Sequence, residues 1–545
     1  MQAATAQLPP LSRIDAMLDS SPPLASPRPT DGLAQPGPPH GRRSRVLIIV
    51  GHPRADSFSH ALARAYRAGA ERAGVELREL ELAALRFDPN VTTRGFADQP
   101  VEPDLARARA LIAWAEHLVL VYPTWWGTMP ALLKGFLDRA LAPGFAFAEE
   151  GGGFVPLLGG RSAELLTTMD TPGWVWRWIY GAPGDKAIAR ATLGFCGIKV
   201  AHIARFGPIK DSSAGQRRAW LAEAGRRGAR LGAGPFSPAQ RFGSKLASWL
   251  KALRLQFYPM TWAAYAAGAL AATAGGALDR AAFWSGLLCL FFLEAATVLA
   301  NEVVDYESDR RNRNFGPFTG GSRVLATGEL SFGEVRRGIA LALVLALLCA
   351  FWLVAASGST AVVVGGALAL LTTLALGYTV PPLKLSYRGL GELDVGLTHS
   401  PGAILCGFVF QGGAWHAGLP WLLSLPLFLA VLPSITLSGV PDLDADAAVG
   451  KRTLAVRTGV RGACAIAALS TLLAAGTALA LQPLPEVGPL LAGIEYGVLP
   501  HALLLLWLLA RQARLAPQAQ RIDRLMIVAL AYILWFVGVP LAHLA

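Results

Sequence analysis

The pattern of apolar and polar residues divides the chain into two halves of different character. Residues 45–235 alternate short apolar runs with amphipathic stretches, which indicates a soluble α/β domain, because a buried parallel strand is a nearly continuous apolar run. Residues 257–545 carry repeated long apolar runs, each near the roughly twenty residues that a helix needs to cross a bilayer. Residues 1–44 are rich in Pro, Ser, Ala and Gly without periodicity, which predicts a disordered extension.

Five apolar runs in the first half predict the strands of one parallel sheet. The runs are RVLIIV at 45–50, VELRELEL at 75–82, HLVLVYP at 117–123, SAELLTT at 162–168 and KVAHIARF at 199–206. Helical stretches separate them, so we expect a doubly wound α/β domain. Such sheets bind ligands beyond the carboxyl ends of their strands.

Two loops leave the predicted sheet at its carboxyl edge, at 51–60 and 123–130. The first loop enters a helix whose N-terminus, with Ser57 and Ser59, suits a phosphate group. The second loop places Trp125 and Trp126 beside a turn, where exposed rings could stack on a flat ligand. From the spacing alone, the interpretation of both tryptophans as core or interface residues also stays open.

Nine apolar segments predict a bundle of nine transmembrane helices in the second half. Their bounds are 257–276, 282–300, 338–357, 359–378, 394–413, 419–440, 462–482, 494–510 and 525–543. Residues 236–256 are interpreted as a linker that runs into a basic amphipathic helix at the membrane surface. In that interpretation Trp249, Leu250, Leu253 and Phe257 dip into the membrane.

Composition and charge narrow the class of protein. The chain has 545 residues, a net charge of +12 and a mean hydropathy of +0.41. Most Lys and Arg residues in the loops of the helical half lie in every second loop, and the remaining loops carry only Arg280. The positive-inside rule then places the Lys- and Arg-rich loops, together with the N-terminal domain, on the cytoplasmic side of the inner membrane. No basic tract is interleaved with aromatic residues, which argues against nucleic-acid binding. The five cysteines are scattered without a CxxC, so neither a disulfide framework nor a zinc site is expected.

Two acidic clusters lie where apolar runs meet charged residues. Asn301, Asp305 and Asp309 stand four residues apart in NEVVDYESD, and Asp442 and Asp446 repeat the spacing in DLDAD. This spacing places the oxygens of each cluster on one helix face. Oxygen ligands suit Mg²⁺, which commonly keeps substrate phosphates in its shell. The clusters therefore predict a site for the diphosphate of a lipid-like substrate, although an interpretation as solvated acids bounding helices also stays open.

The first half is similar to the flavodoxin-like NAD(P)H:quinone oxidoreductase family. The matching segments are GHPRADSFSHAL, YPTWWGTMPALLKGFLDRAL and LGFCGIKV. The resemblance implies a bound flavin (FAD or FMN), hydride transfer from NAD(P)H, a quinone as electron acceptor, and a domain that could dimerise. It also implies two groups of flavin contacts: His52, Ser57, Phe58 and Ser59 along the phosphate and ribityl chain, and Pro123, Thr124, Trp125, Trp126 and Gly127 around the isoalloxazine.

The second half resembles the UbiA superfamily of membrane prenyltransferases over nearly its whole length. The matching segments are NEVVDYESD, GPFTGGSRVLATGEL, YTVPPLKLSYRGLGEL and DLDADAAVGKRTLAVRTG. The resemblance implies transfer of a prenyl group from a polyprenyl diphosphate to an aromatic acceptor, within the lipid bilayer. Ser438 stands where many family members have Asn, and Asp444 is an additional acid.

The resemblance also implies roles for individual residues of the second half. The residues implied to hold Mg²⁺ through the diphosphate are Asn301, Asp305, Asp309, Asp442 and Asp446. The residues implied to be catalytic are Asp305, Asp309, Asp442, Asp446 and Lys451. The residues implied to contact the diphosphate are Arg323, Lys384, Lys451 and Arg452. For these four cations a purely topogenic role stays open. His399 and His416 lie near helix ends and are interpreted as structural.

Together the two halves predict a bifunctional membrane enzyme. An allyl cation attacks an electron-rich ring, and a hydroquinone is electron-rich where a quinone is not, so the first domain could supply the reduced acceptor that the second alkylates. The motifs GGSRVL and YRGLGEL favour the branch of the family that prenylates naphthoquinols. Two alternatives stay open: a membrane-anchored quinone oxidoreductase whose helical half only binds quinone, and a prenyltransferase that acts on another aromatic or tetrapyrrole ring while the reductase modifies the product.

Overall fold

The computed structural model describes most of the chain from residue 44 onward. The described residues are 44–95, 98–150, 153–273, 276–312, 314–316, 318–356, 361–515 and 522–545. The extension predicted at 1–44 lies outside them, apart from Ser44. The described residues form two compact units, one of 44–146 with 156–235 and one of 147–155 with 236–545.

The first unit is built on a parallel five-stranded sheet. The strands of the chain, in order, are β1 (Arg45–Val50), β2 (Glu76–Glu81), β3 (His117–Pro123), β4 (Phe147–Glu150), β5 (Gly153–Pro156), β6 (Ser162–Thr168) and β7 (Lys199–Phe206). β4 and nearly all of β5 fall in the segment 147–155 of the other unit. The order in the sheet is β2–β1–β3–β6–β7, and β4 pairs only with β5. Every residue of β3 and β6 is buried, because helices cover both faces of the sheet. The predicted flavodoxin-like α/β fold, with its five strands, is confirmed.

Four helices of regular length cover this sheet. They are α1 (Phe58–Arg72), α2 (Pro103–Trp114), α3 (Ala131–Ala140) and α4 (Ala214–Arg230). Shorter helical segments run over Val175–Ile179, Pro183–Lys186 and Ala187–Gly194. Helices α1 and α4 pack closely because Gly69 and Gly228 carry no Cβ: a methyl group at either position would overlap a backbone carbonyl of the opposite helix. This packing fixes the N-terminus of α1 at the carboxyl edge of β1.

The second unit is all-helical in its large segment, 236–545. Its helices are α5 (Pro238–Leu253), α6 (Tyr258–Thr273), α7 (Arg280–Val304), α8 (Tyr306–Arg311), α9 (Phe332–Ala356), α10 (Ala361–Gly377), α11 (Gly391–Phe410), α12 (Gly418–Ser438), α13 (Leu443–Ala448), α14 (Leu454–Leu481), α15 (Glu495–Leu515) and α16 (Asp523–Leu544). Seven of these described helices, α7, α9, α11, α12, α14, α15 and α16, are long and apolar enough to cross a membrane. Helices α6 and α10 are shorter, with 16 and 17 residues. The membrane character is thus supported, while the number of nine spans stays a prediction.

Small residues set the spacing between α6 and α11. A Cβ on Gly268 would overlap the carbonyl of Ile404, and a Cβ on Gly407 would overlap the carbonyl of Tyr265. Helices in membranes associate through such close backbone approaches, because lipid offers no hydrophobic driving force between apolar surfaces. The two glycines bring α6 against α11.

Helix α5 differs in part from its interpretation as an interfacial helix. Trp249 and Leu253 pack against an apolar cluster that includes Leu299 of α7, rather than pointing into lipid. The ammonium of Lys251 pairs with Glu329 at 2.9 Å. The loop before α9 supplies both apolar and acidic partners, which a sequence pattern confined to α5 does not reveal.

Candidate functional site

The two acidic motifs lie at helix breaks and meet in space. Asp305 stands between α7 and α8, and Asp442 precedes α13. Two hydrogen bonds join the motif regions: Ser308 Oγ donates to Asp446 Oδ1 at 2.5 Å, and Asn312 Nδ2 donates to Asp442 Oδ1 at 2.5 Å. The short helices α8 and α13 therefore hold the acids of both motifs at one end of the bundle.

Lys451 lies between the two motifs. Its Nζ is 2.7 Å from Asp305 Oδ2 and 3.2 Å from Asp446 Oδ1, and its side chain is only 8% exposed. Asp305 also accepts from Asn301 Nδ2 at 2.7 Å and from the Tyr387 hydroxyl at 3.1 Å. The structure thus brings together the acids of both motifs and one of the four predicted cations.

These groups line one cavity of about 290 Å³. The predicted residues on its wall are Asn301, Asp305, Asp309, Asp442, Asp446 and Lys451. Beyond them the wall includes apolar side chains such as Met260, Leu290 and Leu371. A charged mouth that continues into an apolar interior suits a molecule with an anionic head and a hydrocarbon tail.

Burial and mutual repulsion make the mouth of this cavity electrostatically unusual. Burial raises the pKa of Asp309 to about 7. Burial, with the nearby carboxylates of Asp446 and Asp309, raises the pKa of Asp442 to about 8. Burial alone would lower the pKa of Lys451, but Asp305 and Asp446 together outweigh burial and raise it. Four aspartates, Asp305, Asp309, Asp442 and Asp446, outnumber the two cations that line the same cavity, Lys451 and Arg254, so an added cation would be favoured here.

The donor set fits a divalent metal that binds together with its substrate. Oxygen ligands are those that Mg²⁺ prefers. Among the described residues, no three His, Cys, Asp or Glu side chains are close enough to hold a metal ion alone. Mg²⁺ usually completes its shell with water and substrate phosphates. The acids therefore suit a metal held through a diphosphate better than a metal in a cage of protein ligands.

Arg323 hydrogen-bonds to backbone carbonyls at the end of α8. Its Nη1 donates to the carbonyls of Asp309 and Asn312, at 2.7 and 3.0 Å, and its guanidinium lies 4.1 Å from the centre of the Phe315 ring. These contacts cap the end of α8. The predicted contact of Arg323 with diphosphate stays a prediction.

Among the described residues, neither Lys384 nor Arg452 forms an ion pair with Asp305 or Asp446, the acids that Lys451 contacts. The Lys384 ammonium lies 4.5 Å from the centre of the Tyr387 ring, and Arg452 is exposed. Diphosphate contacts by these two residues also stay predictions.

Two glycines in the segment GPFTGGSRVL line the same cavity. Gly320 and Gly321 have φ of +77° and +72°, a region that side chains with a Cβ rarely adopt. A Cβ on Gly321 would also overlap the carboxylate of Asp309. This close approach gives a physical reason for the glycine pair beside the first motif.

Sequence reasoning missed several residues of the site, among them Tyr387, Arg254 and Glu302. Tyr387 contacts Asp305 and lies inside the matching segment YTVPPLKLSYRGLGEL, so its motif was available as a signal. Arg254 donates to Glu302 Oε1 at 2.8 Å, and Glu302 is 1% exposed. Arg254 belongs to a stretch that reads as a basic surface helix, so its pattern carries no signal for a buried ion pair.

In the first unit, the loop after β1 leads into the N-terminus of α1. Ser57 caps this helix, accepting from the backbone N–H of His60 at 3.4 Å. Ser59 is buried, with its Oγ 3.4 Å from Thr168 Oγ1, and the ring of Phe58 lies 6.1 Å from that of Trp220. The end of α1 thus presents backbone donors at the carboxyl edge of the sheet, as an anion site requires.

The loop after β3 forms a tight turn that displays two tryptophans. Thr124 follows Pro123, the last residue of β3, and its Oγ1 is 2.6 Å from Thr167 Oγ1. The backbone of Trp125 exchanges two hydrogen bonds with Thr128, and these enclose a two-residue turn. The two turn residues, Trp126 and Gly127, have φ of +49° and +79°.

The exposure of these rings excludes one interpretation. Trp126 is fully exposed and Trp125 is 44% exposed, so neither is a core residue. The ring of His52 lies 5.4 Å from that of Trp125, which brings the two predicted flavin loops together. A positive φ at a tryptophan costs backbone strain, and such strain concentrates at functional sites. The edge of the sheet therefore combines an anion-binding helix end with exposed flat rings.

Comparison with known proteins divides the chain at the same place. Residues 44–227 match the model of the flavodoxin-like fold, and residues 260–531 match that of the UbiA prenyltransferase family. An uncharacterized NAD(P)H oxidoreductase of Haemophilus influenzae is 30% identical over 171 residues, which are 30% of this chain and 83% of that protein. A ribosyldihydronicotinamide dehydrogenase [quinone] of Mus musculus is 29% identical over 182 residues, covering 29% of this chain and 78% of that protein. A solved structure of a digeranylgeranylglyceryl phosphate synthase is 17% identical with a TM-score of 0.38, covering 55% of this chain and 99% of that one.

Proposed function

This chain belongs to the flavodoxin-like NAD(P)H oxidoreductases through residues 44–227 and to the UbiA prenyltransferases through residues 260–531, and we propose that it uses the two domains in sequence. The first domain reduces a quinone with electrons from NAD(P)H, carried by a bound flavin. The second transfers a prenyl group from a polyprenyl diphosphate to the hydroquinone that results. The product is a prenylated aromatic of the kind made in quinone biosynthesis.

The observation that carries the transferase proposal is the Lys451 ammonium held between the two acidic motifs at the mouth of an apolar cavity. Departure of a diphosphate places negative charge at this mouth, and groups aimed at developing charge stabilise a transition state. Asn301, Asp305, Asp309, Asp442 and Asp446 would hold Mg²⁺ through the diphosphate. When bound, the metal would neutralise the leaving group. Lys451 would donate to the diphosphate oxygens, and Tyr387 would keep Asp305 oriented.

The flavin proposal rests on the carboxyl edge of the first sheet. The N-terminus of α1 with Ser57 would receive the flavin phosphate, and Trp126 would stack on the isoalloxazine. His52, Phe58, Ser59 and the residues Pro123, Thr124, Trp125 and Gly127 would complete the contacts. The flavin is FMN or FAD, and the domain could dimerise as its family resemblance implies.

The redox state of the acceptor explains why a reductase and a prenyltransferase would be joined in one chain. A quinone ring is electron-poor and reacts badly with an allyl cation, whereas its hydroquinone is electron-rich. A linked reductase raises the effective concentration of the reduced acceptor near the transferase. The alternative in which the helical half only binds quinone gives no role to buried acids from two motifs.

The membrane arrangement is proposed from the loop charges. The domain at 45–235, the linker at 236–256 and the mouth of the domain at 257–545 would face the cytoplasm at the inner membrane. A soluble diphosphate and NAD(P)H would then reach both sites from the same compartment.

The test is product analysis by mass spectrometry. Membranes that contain the chain are given NADPH, Mg²⁺, a polyprenyl diphosphate and a panel of quinones. We expect one or more quinones to gain the mass of the prenyl group. Absence of a prenylated product across the panel, with reduction of the same quinones intact, would contradict the transferase proposal for quinone acceptors.

A further inference from the structure

The cavity has a second polar region inside the membrane-spanning helices. Glu294 and Asn301 stand on one face of α7, two helical turns apart, so Glu294 lies about 10 Å from Asn301 along the helix axis. Glu294, Thr261 and His399 all line the cavity that begins at Asp305. A prenyl tail is hydrocarbon and makes no hydrogen bonds, so binding of the tail does not explain why these polar groups line the cavity.

Glu294 is the most costly of these groups to bury. Its side chain is 12% exposed, and the Oε2 atom has no hydrogen-bond partner among the described residues. Its other oxygen, Oε1, is 3.9 Å from His399 Nε2, too far for a direct hydrogen bond. A carboxyl group in a membrane span is a candidate functional group by default, because without a partner it destabilises the fold.

The other ring nitrogen of His399 fixes the role of Nε2. His399 Nδ1 is 3.0 Å from the carbonyl of Val395 and 3.0 Å from Thr398 Oγ1. A carbonyl can only accept, and the Thr398 hydroxyl already donates to the carbonyl of Asp394 at 2.9 Å, so Nδ1 carries the hydrogen. In the neutral ring, Nε2 is then a hydrogen-bond acceptor facing Glu294.

The backbone around His399 is also unusual. The residues Thr398–Gly402 form a π-helical turn within α11, and this turn contains Pro401. Such turns inside α-helices occur frequently at functional sites, because they redirect side chains. The sequence interpretation placed His399 near a helix end as a structural residue, whereas the structure places it inside α11 on the cavity wall.

We propose that Glu294 and His399 form the subsite that recognises a hydroxyl group of the aromatic acceptor; this inference rests on the proposed prenyl transfer. A single hydroxyl oxygen can lie within hydrogen-bond distance, about 2.8 Å, of both atoms when these are 3.9 Å apart. The hydroxyl donates its one hydrogen to His399 Nε2, and its oxygen accepts a hydrogen bond from the carboxylic acid form of Glu294. The acceptor ring then extends from this subsite toward Asn301 and the diphosphate.

The subsite also selects the oxidation state of the acceptor. A hydroquinone carries hydroxyl hydrogens that can be donated to Nε2, whereas a quinone carbonyl has none. A site built to bond a hydroxyl rejects an analogue that lacks the hydrogen, because buried polar groups are left unpaired. The cavity would therefore admit the product of the reductase in preference to its substrate.

The experiment uses the full chain, farnesyl diphosphate, and two acceptors: 1,4-naphthohydroquinone and its dimethyl ether. The ether keeps an electron-rich ring but has no hydrogen to donate. The variants are His399→Phe and Glu294→Leu, each of which removes a hydrogen-bonding group, and the matched control is His416→Phe, at an exposed position after α11. We expect each site variant to raise the KM for the hydroquinone about tenfold, with little change in the KM for farnesyl diphosphate.

The preference between the two acceptors is the sharper readout. The wild-type chain should prefer the hydroquinone, His399→Phe should lose most of that preference, and His416→Phe should keep it. If both site variants keep the wild-type KM for hydroquinone and its preference over the ether, the subsite assignment is overturned while the proposed function stands. If the wild-type chain prenylates neither acceptor, the proposed function fails for naphthoquinols and the subsite assignment fails with it. An unchanged KM for farnesyl diphosphate shows that a variant is folded. If His399→Phe does not fold, Glu294→Leu provides the test.

Discussion

Lys451 and Asp305 come from distant parts of the sequence, yet Lys451 Nζ lies 2.7 Å from Asp305 Oδ2 with both side chains almost completely buried. The pair joins the first acidic motif to the segment that follows the second. A buried charge pair of this kind is costly to break, because removal of one partner leaves the other charge unpaired in a poorly solvated place. We interpret the pair as a cation held ready for an anionic leaving group.

Replacement of this lysine should remove the positive charge while keeping much of the side-chain volume. For Lys451→Met we expect prenyl transfer to fall by about 10²-fold or more, the range seen when a group that stabilises transition-state charge is lost. The matched control is Lys245→Met, because Lys245 is 47% exposed and its ammonium contacts Glu334 and the carbonyl of Glu329, neither of which belongs to an acidic motif. Initial rates of prenyl transfer measure both. A Lys451→Met rate equal to that of the control would exclude a catalytic role for Lys451.

The acids of both motifs should be needed for prenyl transfer, whereas the neighbouring Asp444 should not be needed. We expect Asp305→Asn and Asp442→Asn each to lower turnover by about 10²-fold or more, because each removes an oxygen charge that faces the diphosphate site. Asp444→Asn, at an exposed position on the same short helix as Asp446, should leave turnover near the wild-type value. Quinone reduction should survive all three changes. Equal losses in all three variants would indicate damage to the fold instead.

Removal of divalent metal should separate the two activities. With excess EDTA, we expect prenyl transfer to stop, since the buried acids and the diphosphate would then repel each other without a bridging cation. Reduction of quinone by NAD(P)H should continue, because flavin chemistry needs no divalent metal. Readdition of Mg²⁺ should restore transfer. Persistence of prenyl transfer at full rate in EDTA would contradict the metal assignment.

Trp126 should contribute to flavin binding and not to the stability of the fold. Its side chain is fully exposed, so Trp126→Ala removes little buried surface and should leave the thermal unfolding midpoint unchanged. Loss of stacking, at about 0.5–1.5 kcal/mol, should raise the Kd for flavin by about two- to thirteenfold. Trp415→Ala, at an exposed position in the other unit, is the control. Flavin absorbance measures occupancy, and equal occupancy in the two variants would remove Trp126 from the flavin site.

The strands and apolar helices could be predicted from sequence because each leaves a local periodic signal. The run RVLIIV gives a strand with the bounds of β1, Arg45–Val50. The spacing of Asn301 and Asp305 likewise predicts a shared helix face, and the two side chains are hydrogen-bonded. These features depend on residues within a few positions of each other.

Features that depend on distant packing could not be predicted in this way. Trp249 belongs to an amphipathic pattern typical of a membrane surface, yet a loop far along the chain packs against it. Arg254 likewise has the charge of a surface helix but pairs with buried Glu302. His399 lies near the start of an apolar segment, and only the three-dimensional fold places it opposite Glu294. Sequence periodicity does not report which faces of separate elements meet.

Supply of the transferase acceptor by the reductase can be measured by varying the redox state of the acceptor that is given to the full chain. Prenylated product is measured by mass spectrometry with 1,4-naphthoquinone or 1,4-naphthohydroquinone, with and without NADPH, for the wild type and for enzyme stripped of flavin. We expect the quinone to be prenylated only by the flavin-loaded enzyme with NADPH, and the hydroquinone to be prenylated in every case. Prenylation of the oxidised quinone at the same rate without NADPH or without flavin would contradict this expectation.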